Sequence, residues 1–597
     1  MSNDSPTTLP RFPGARALAV SAFLLLASSV AALAILASSA MAHGRDTGTS
    51  ASQVAASSFG LSKDAISITV DTGAGLVFKI RCPDAGGSSK GAGDIVSMRW
   101  HGVEYQDQSK GSQVNIGFTD LYAGQTTASV TAARMDADYI KVTVQAGDLV
   151  HYYLAKRGVA TIFMATYFTR EPQLGMVRYI ARIRRAALPD GPDPSNLSGT
   201  DRLVEGHDVF ARPDGQTRSK HYSNMRLKDW HFFGARGPGV AVWMVRDDNE
   251  GGSGGPFYRS LLDQGTDTDQ ELTYIVNYGE AQTEPFRTDI LDSYALAFTT
   301  GRMPDPLDTS WFGRMGLIGY VAPGARGAVA GVGLDGMDAA FRYTVGFANG
   351  KAQYWTEAQP QTGAFAREGM LPGTYRLTVY KNEREVAVRN VEVREGTTMS
   401  LPALRIDHDP ARDAAVWRIG DWDGTPSEFL NGDRVTTMHS SDVRMASWSA
   451  PPFEIGQSKA ATGFPAYQWI DVNSALPIRF TLTRTQICTM TLRIGITTAF
   501  ANARPAVTVN GWQAPPQAPT PQPKTRTLTV GTYRGNNRIY AITLPASALR
   551  VGRNELTLSV TSGIRGSGFL SPGLSYDAID MVPAAPRCKV MSADPRR

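Results

Sequence analysis

The chain has 597 residues, too many for one hydrophobic core, so two to four domains are expected. Its 42% hydrophobic and 19% charged residues suit folded domains and exclude a disordered chain, while 59 Gly and 35 Pro point to many turns between short strands. A formal charge of +5 over this length supplies no concentrated basic face, which argues against nucleic-acid binding.

At the N-terminus, Arg11 and Arg16 precede an apolar run over residues 17–37, and Ala40-Met41-Ala42 offers a small-x-small cleavage site. These are the parts of a secretory signal peptide spanning 1–42, although the run is also long enough to remain as an anchor. No second long apolar run follows, so the expected product is secreted, extracellular or periplasmic, monomeric and free of stable membrane association once the signal is removed. Residues 43–60, rich in Ser, Ala and Gly, read as a flexible lead-in.

Residues 61–310 then show short alternating runs: AISITV, YIKVTVQ, VRYIARI, VAVWMV and ELTYIV. Apolar positions two apart, β-branched and aromatic residues, and Gly, Asp or Pro breaks predict strands of a large antiparallel β-sandwich. The glycine-rich stretch 251–255 does not open a helix and reads as a tight surface loop. Residues 311–405 carry RGAVAG, FRYTVGF, GMLPGTYRLTVY and VAVRNVEV, a pattern for a small immunoglobulin-like, fibronectin-III-like or transthyretin-like sandwich. Residues 413–583 begin near Trp417-Arg418-Ile419-Gly420, contain a Pro-rich loop at 515–523 and close on strands such as RNELTLSV, which suits a jelly-roll. The tail after Pro583 reads as disordered. The fold class expected is therefore all-β throughout.

Phosphate-loop, zinc-protease, calcium-loop and serine-elbow motifs are all missing. The three cysteines, Cys82, Cys488 and Cys588, lack metal-ligand spacing; Cys488 and Cys588 either pair in an oxidising compartment or remain buried thiols. No cofactor is expected, and a structural calcium is not readable from the sequence.

Three segments of the first domain, FMATYFTREPQLGMVRYIAR (163–182), TRSKHYSNMR (217–226) and NYGEAQTEPFR (277–287), resemble rhamnogalacturonan lyases of polysaccharide lyase family four. In the last domain WRIGDWDGTPSEFLNGD (417–433) and HSSDVRMASW (439–448) resemble the opening of that family's final, carbohydrate-binding-like domain. The resemblance implies β-elimination at the galacturonates of rhamnogalacturonan I, an acidic polysaccharide of pectin. Such a reaction removes a proton from C5, beside a carboxylate, and expels the oxygen on C4. It therefore needs positive charge on the carboxylate, a base within reach of C5 and an acid for the leaving oxygen.

The resemblance assigns substrate contact to Arg178 and Arg182, which lie four apart on one face of a strand, roughly 13 Å between Cα atoms. It assigns the catalytic lysine to Lys220. Read without it, the arginines form a solvent-facing basic strand and Lys220 is a surface residue. Glu280 stands where the family carries a histidine that works with the lysine. A carboxyl there can serve as acid if its pKa is raised, or it can hold Lys220 charged and hinder the base. The departure leaves two alternatives: a catalytically impaired binder of acidic polysaccharide, or a lyase for another uronate polymer. Glu284 and Gln282 match the motif and position substrate or cap a loop. Tyr222 is expected to share the face of Lys220 and to touch sugar or orient the lysine, His221 to point to the opposite face, and His231 to pack in the core. His151 remains a further candidate to compensate for the missing histidine. Trp243, Trp422, Trp448, Tyr533 and Tyr540 are read as core aromatics ahead of sugar contacts.

Overall fold

The computed structural model describes residues 58–84, 91–116, 119–120, 128–171, 176–223, 225–278 and 287–584. The signal segment, most of the lead-in, Glu280, Gln282, Glu284, Cys588 and nearly all of the tail lie outside the described residues. Within the lead-in, order has already begun: Phe59 is buried and Gly60 pairs with Asp71.

A seven-stranded antiparallel sheet organises the first part, in the spatial order Phe232–Gly237, Val240–Arg246, Leu291–Thr299, Thr161–Phe168, Leu149–Lys156, Tyr139–Ala146, Ala128–Arg134. Its central strands are apolar on both sides, and both sides are covered. Val242 and Met244 join Tyr294 and Leu296 in one core, while Ala241, Trp243 and Val245 join Phe163 and Trp311 in another. Two five-stranded sheets, one spanning residues 60–104, contribute to the first core. The second is closed by the 3-10 turn Ser310–Arg314 and the residues after it. Trp311 stacks on Tyr139 with ring centroids 4.8 Å apart and meets Phe163 edge-on. Residues to Leu317 therefore belong with the first unit, past the boundary expected at 310.

Strand Met176–Arg184 lies between Asp269–Tyr278 and Gln113–Ile116. Its odd-numbered residues Val177, Tyr179 and Ile183 enter the core, which leaves Arg178 and Arg182 half-buried on the other face, as their spacing predicts.

The glycine stretch 251–255 is not a surface loop. It is buried between the first and middle units, where Gly252 O accepts from Arg287 Nη1 and Gly255 N donates to Gln353 Oε1. A Cβ on Gly251 would collide with Asp292, so close backbone approach explains the composition.

The middle unit is a sandwich of a four-stranded sheet (Gln353–Glu357, Tyr343–Ala348, Gly373–Lys381, Arg384–Val393) and a three-stranded one (Phe365–Met370, Gly327–Gly331, Thr398–Leu401). The last unit packs two five-stranded sheets face to face around one core, the jelly-roll arrangement expected. Cys488 is disulfide-bonded, and Cys82 is a buried free thiol. Glu383 joins all three units: Tyr533 donates to its Oε1 at 2.7 Å, Arg226 Nη1 lies 3.3 Å away, and Arg534 flanks its other oxygen.

Phe312 is fully buried against the second face of the large sheet. Phe312→Ala is expected to cost about 3–5 kcal/mol and to lower the calorimetric melting temperature, with Phe312→Leu costing less.

Candidate functional site

Lys220 stands at the end of a small three-stranded sheet, Arg202–Glu205, Val209–Ala211 and Thr217–Ser219. The first two strands are joined through Gly206 and His207, both in the left-handed region, with φ of 58° and 57°. That turn sets Asp208 beside the end of the third strand, where Lys220 N donates to Asp208 O at 3.1 Å. Lys220 Nζ then lies 3.7 Å from Asp208 Oδ1, and His221 Nε2 lies 4.0 Å from the same oxygen.

The strand stops at Ser219, so the alternation that would send His221 to the opposite face does not apply. A turn carries Lys220 and His221 to one carboxylate instead. All three side chains remain reachable from solvent, 30% exposed for Lys220, 24% for Asp208 and 23% for His221.

The surrounding charges come from two units. Arg178, whose Nε donates to Asn115 Oδ1 at 3.0 Å, adds its positive charge to the field at His221 from the first unit. Arg526 comes from the last unit; its Nη2 donates to Asp208 Oδ2, and its Nη1 approaches Glu205 Oε1 at 3.8 Å. His439, also from the last unit, meets the other Glu205 oxygen at 2.9 Å. Burial first, then Arg526, Lys220 and Arg178, hold the His221 imidazole down at about 4 against the opposing pull of Asp208. His221 is therefore neutral at neutral pH, a proton acceptor and not a donor.

Several expected contacts are redirected. Tyr222 is buried, and its hydroxyl donates to Leu528 O at 2.9 Å, so it fastens the first unit to the last and does not present its ring to sugar. Arg182 pairs with Glu271 at 3.1 Å and donates to Gly111 O at 2.7 Å, which commits its guanidinium to the fold. His151 is sealed in the core against Thr166 Oγ1, with burial lowering its pKa to about 3. His231, expected in the core, is exposed. The aromatics Trp243, Trp422, Trp448, Tyr533 and Tyr540 are buried, as read from their apolar surroundings.

Glu280 and Glu284 lie outside the described residues, but both ends of their segment are tied down. Buried Asn277 donates to Gly251 O and to Arg287 O, and Arg287 Nε donates to Asn349 O at 3.1 Å. Strand Asp269–Tyr278 ends at Tyr278 opposite Met176, two residues from Arg178. Among the described residues no group of three or more His, Cys, Asp or Glu side chains is placed to hold a metal ion.

Family models match three consecutive stretches: residues 59–319 match rhamnogalacturonan lyase B, N-terminal; 325–401 match polysaccharide lyase family 4, domain II, a fibronectin-III-like model; and 415–581 match polysaccharide lyase family 4, domain III, a carbohydrate-binding-module-like one. The chain is 36% identical to rhamnogalacturonate lyase A of Emericella nidulans, over 89% of this chain and 97% of that one. The chain belongs to polysaccharide lyase family 4. Other family 4 relatives include a probable rhamnogalacturonate lyase A of Aspergillus fumigatus, 38% identical over 82% of this chain and 90% of that one. Rhamnogalacturonate lyase A of Aspergillus aculeatus is 35% identical, over 89% of this chain and 97% of that one.

Seen in this family 4 chain, the residues that sequence reasoning missed are Asp208, Glu205, Arg526, His439 and Asp442. Asp442 Oδ2 accepts from both Thr217 N (2.6 Å) and Thr217 Oγ1 (2.7 Å), at the first residue of the TRSK motif. The HSSDVRM stretch resembles a segment of the family's last domain, but nothing in it announces that it docks on the lysine strand. Burial pushes the Asp442 carboxyl up, yet hydrogen bonds from Arg444 and Thr217 outweigh that and hold it well below the carboxylate range. A carboxyl with a lowered folded pKa stabilises the fold above its unfolded value and loses that contribution as pH falls toward the folded one. Asp442→Asn is expected to cost about 1.5–3 kcal/mol at pH 7. In denaturant titrations the gap from wild type should narrow once the pH drops below the ordinary aspartate value of 3.8.

Proposed function

We propose that this lyase cleaves the rhamnose–galacturonate backbone of rhamnogalacturonan by β-elimination, with Lys220 taking the C5 proton. The observation that carries the reading is the solvent-reachable Lys220 amine, gathered with His221 at Asp208 at the end of the TRSK strand. The names of the relatives supply the substrate class: each is a rhamnogalacturonate lyase or probable one.

In the reaction the C5–H bond breaks and its proton passes to Lys220 Nζ. The electron pair left on C5 forms the C4=C5 double bond, and the C4–O bond breaks so that the oxygen leaves on rhamnose and takes up a proton. Charge built up at the uronate carboxylate is countered by Arg178, which presents a planar, permanently charged fork. Arg182 supports the sheet from which Arg178 projects. The neutral His221 imidazole cannot supply the proton for the leaving oxygen, which assigns that step to another group; by motif position this is Glu280. The mature enzyme acts outside the cell, where its polymeric substrate is found.

Lys220→Ala is expected to lower the rate of 4,5-unsaturated uronate formation, read by ultraviolet absorbance, by about 10²–10⁴-fold with an unchanged melting temperature. Glu280→Gln should lose activity and Glu280→His should retain it. Wild-type protein that binds rhamnogalacturonan without any absorbance gain, alone and as Glu280→His, would establish the binder reading instead. Activity on a different uronate polymer in a panel would move the substrate assignment.

A further inference from the structure

An amine that must accept a proton sits awkwardly beside a carboxylate, because an opposite charge within a few ångströms favours the protonated form. Asp208 is such a neighbour, 3.7 Å from Lys220 Nζ. The structure gives this carboxylate a second claimant. Arg526, 318 residues further along the chain, donates its Nη2 to Asp208 Oδ2, while Lys220 and His221 share Oδ1.

The approach of Arg526 is built into the backbone of the first unit. Gly206, in the left-handed region, lies directly under the guanidinium, and a Cβ there would collide with Nη1. Arg526 stands at the mouth of the 3-10 turn Thr527–Val530, whose Leu528 carbonyl receives the Tyr222 hydroxyl. The guanidinium is thus held from both sides, by the turn that carries it and by the hairpin it caps.

We propose that Arg526, supplied by the last unit, is a positioning residue for proton transfer: by engaging Asp208 it orients and partly neutralises the carboxylate that, among the described residues, faces both Lys220 and His221. The proposal rests on Lys220 as the base. It assigns to the carbohydrate-binding-like unit a part in the chemistry of the first unit. Arg526 touches neither the uronate nor the reacting atoms; it acts through Asp208.

The charged and titratable groups around Lys220 and His221 give the direction of the effect. Asp208 and Glu205 lie on the hairpin, Arg178 on the neighbouring sheet, and Arg526 and His439 on the last unit, with Asp442 and Arg444 behind the lysine strand. Removing Arg526 leaves the full charge of Asp208 to the lysine and the histidine, so both hold their protons to higher pH. The acid limb of the kcat/KM profile, which reports the free enzyme's essential base, must then move up. Removing the Asp208 charge must move it down.

The test is the pH profile of rhamnogalacturonan cleavage by wild type, Arg526→Gln, Arg526→Lys, Asp208→Asn and the double variant, with Lys220→Ala in parallel. Expected are a rise of about one pH unit in the acid limb for Arg526→Gln, near-restoration by Arg526→Lys, a fall for Asp208→Asn, and a much smaller effect of Arg526→Gln once Asp208 is Asn. A folded Arg526→Gln enzyme whose limb stays in place overturns the proposal. If Arg526→Gln melts too low to assay, Asp208→Asn decides, and an unmoved limb there overturns it equally. Full activity of Lys220→Ala would instead overturn the assignment of the base, which keeps the two failures distinct.

Discussion

The grip of the last unit on the strand that ends at Lys220 is the contact on which the site depends. Thr217–Ser219 is only three residues long and lies at the edge of a three-stranded sheet. So short an element holds little structure by itself. Asp442 takes both donors of Thr217, Val443 rests on Gly215, His439 meets Glu205, and Tyr222 reaches Leu528. These bonds flank Lys220 on both sides in sequence. A lysine on a short turn, the base in the proposed reaction, gains the fixed geometry that proton transfer needs from a unit that begins about two hundred residues later.

The middle unit does comparable work at the ends of the segment that carries the proposed acid. Asn277 and Arg287 fasten the two ends of the stretch that carries Glu280, and Arg287 in turn donates to Asn349 of the middle sandwich. Arg326 of the same unit forks onto Glu250 at 2.7 and 2.9 Å, beside the buried glycine stretch. Glycine at 251 lets that backbone lie close against Asp292, and Gly255 N donates across to Gln353 of the middle unit. With Glu383 gathering Arg226, Tyr533 and Arg534, the three sandwiches pack as a framework and not as beads on a linker.

What was legible in the sequence follows from how far each signal reaches. Strands such as Tyr139–Ala146 and Gly552–Thr561 announce themselves by alternation, a property of consecutive residues. The faces of Arg178 and Arg182 followed from the same rule, and the lysine motif was visible as a motif. Alternation failed where the strand was shorter than the pattern assumed: Ser219 ends it, and Lys220 and His221 turn together toward Asp208. The hydrogen bond of Tyr222 to Leu528 and the ion pair of Arg182 with Glu271 are not legible locally, because each partner lies far along the chain. Asp208 and Arg526 carry no local signature at all. Their significance exists only once a hairpin and a distant turn have met.

The same geometry changes the sense in which the last unit is a binding module. Its large aromatics, Trp422, Trp448, Trp469 and Tyr533, are buried in its core or at the junction, so they are not available to stack on sugar from outside. Its polar residues at the first unit, by contrast, are spent on the lysine strand and on Asp208. A sandwich of carbohydrate-binding shape therefore serves as a supporting wall for the lysine strand and Asp208. This is economical in a β-rich enzyme, because a hairpin edge offers a row of backbone groups that some partner must satisfy. The partner that meets that edge here also brings Arg526 to the carboxylate beside Lys220, so that domain packing and the electrostatics of the candidate site are set by one interface.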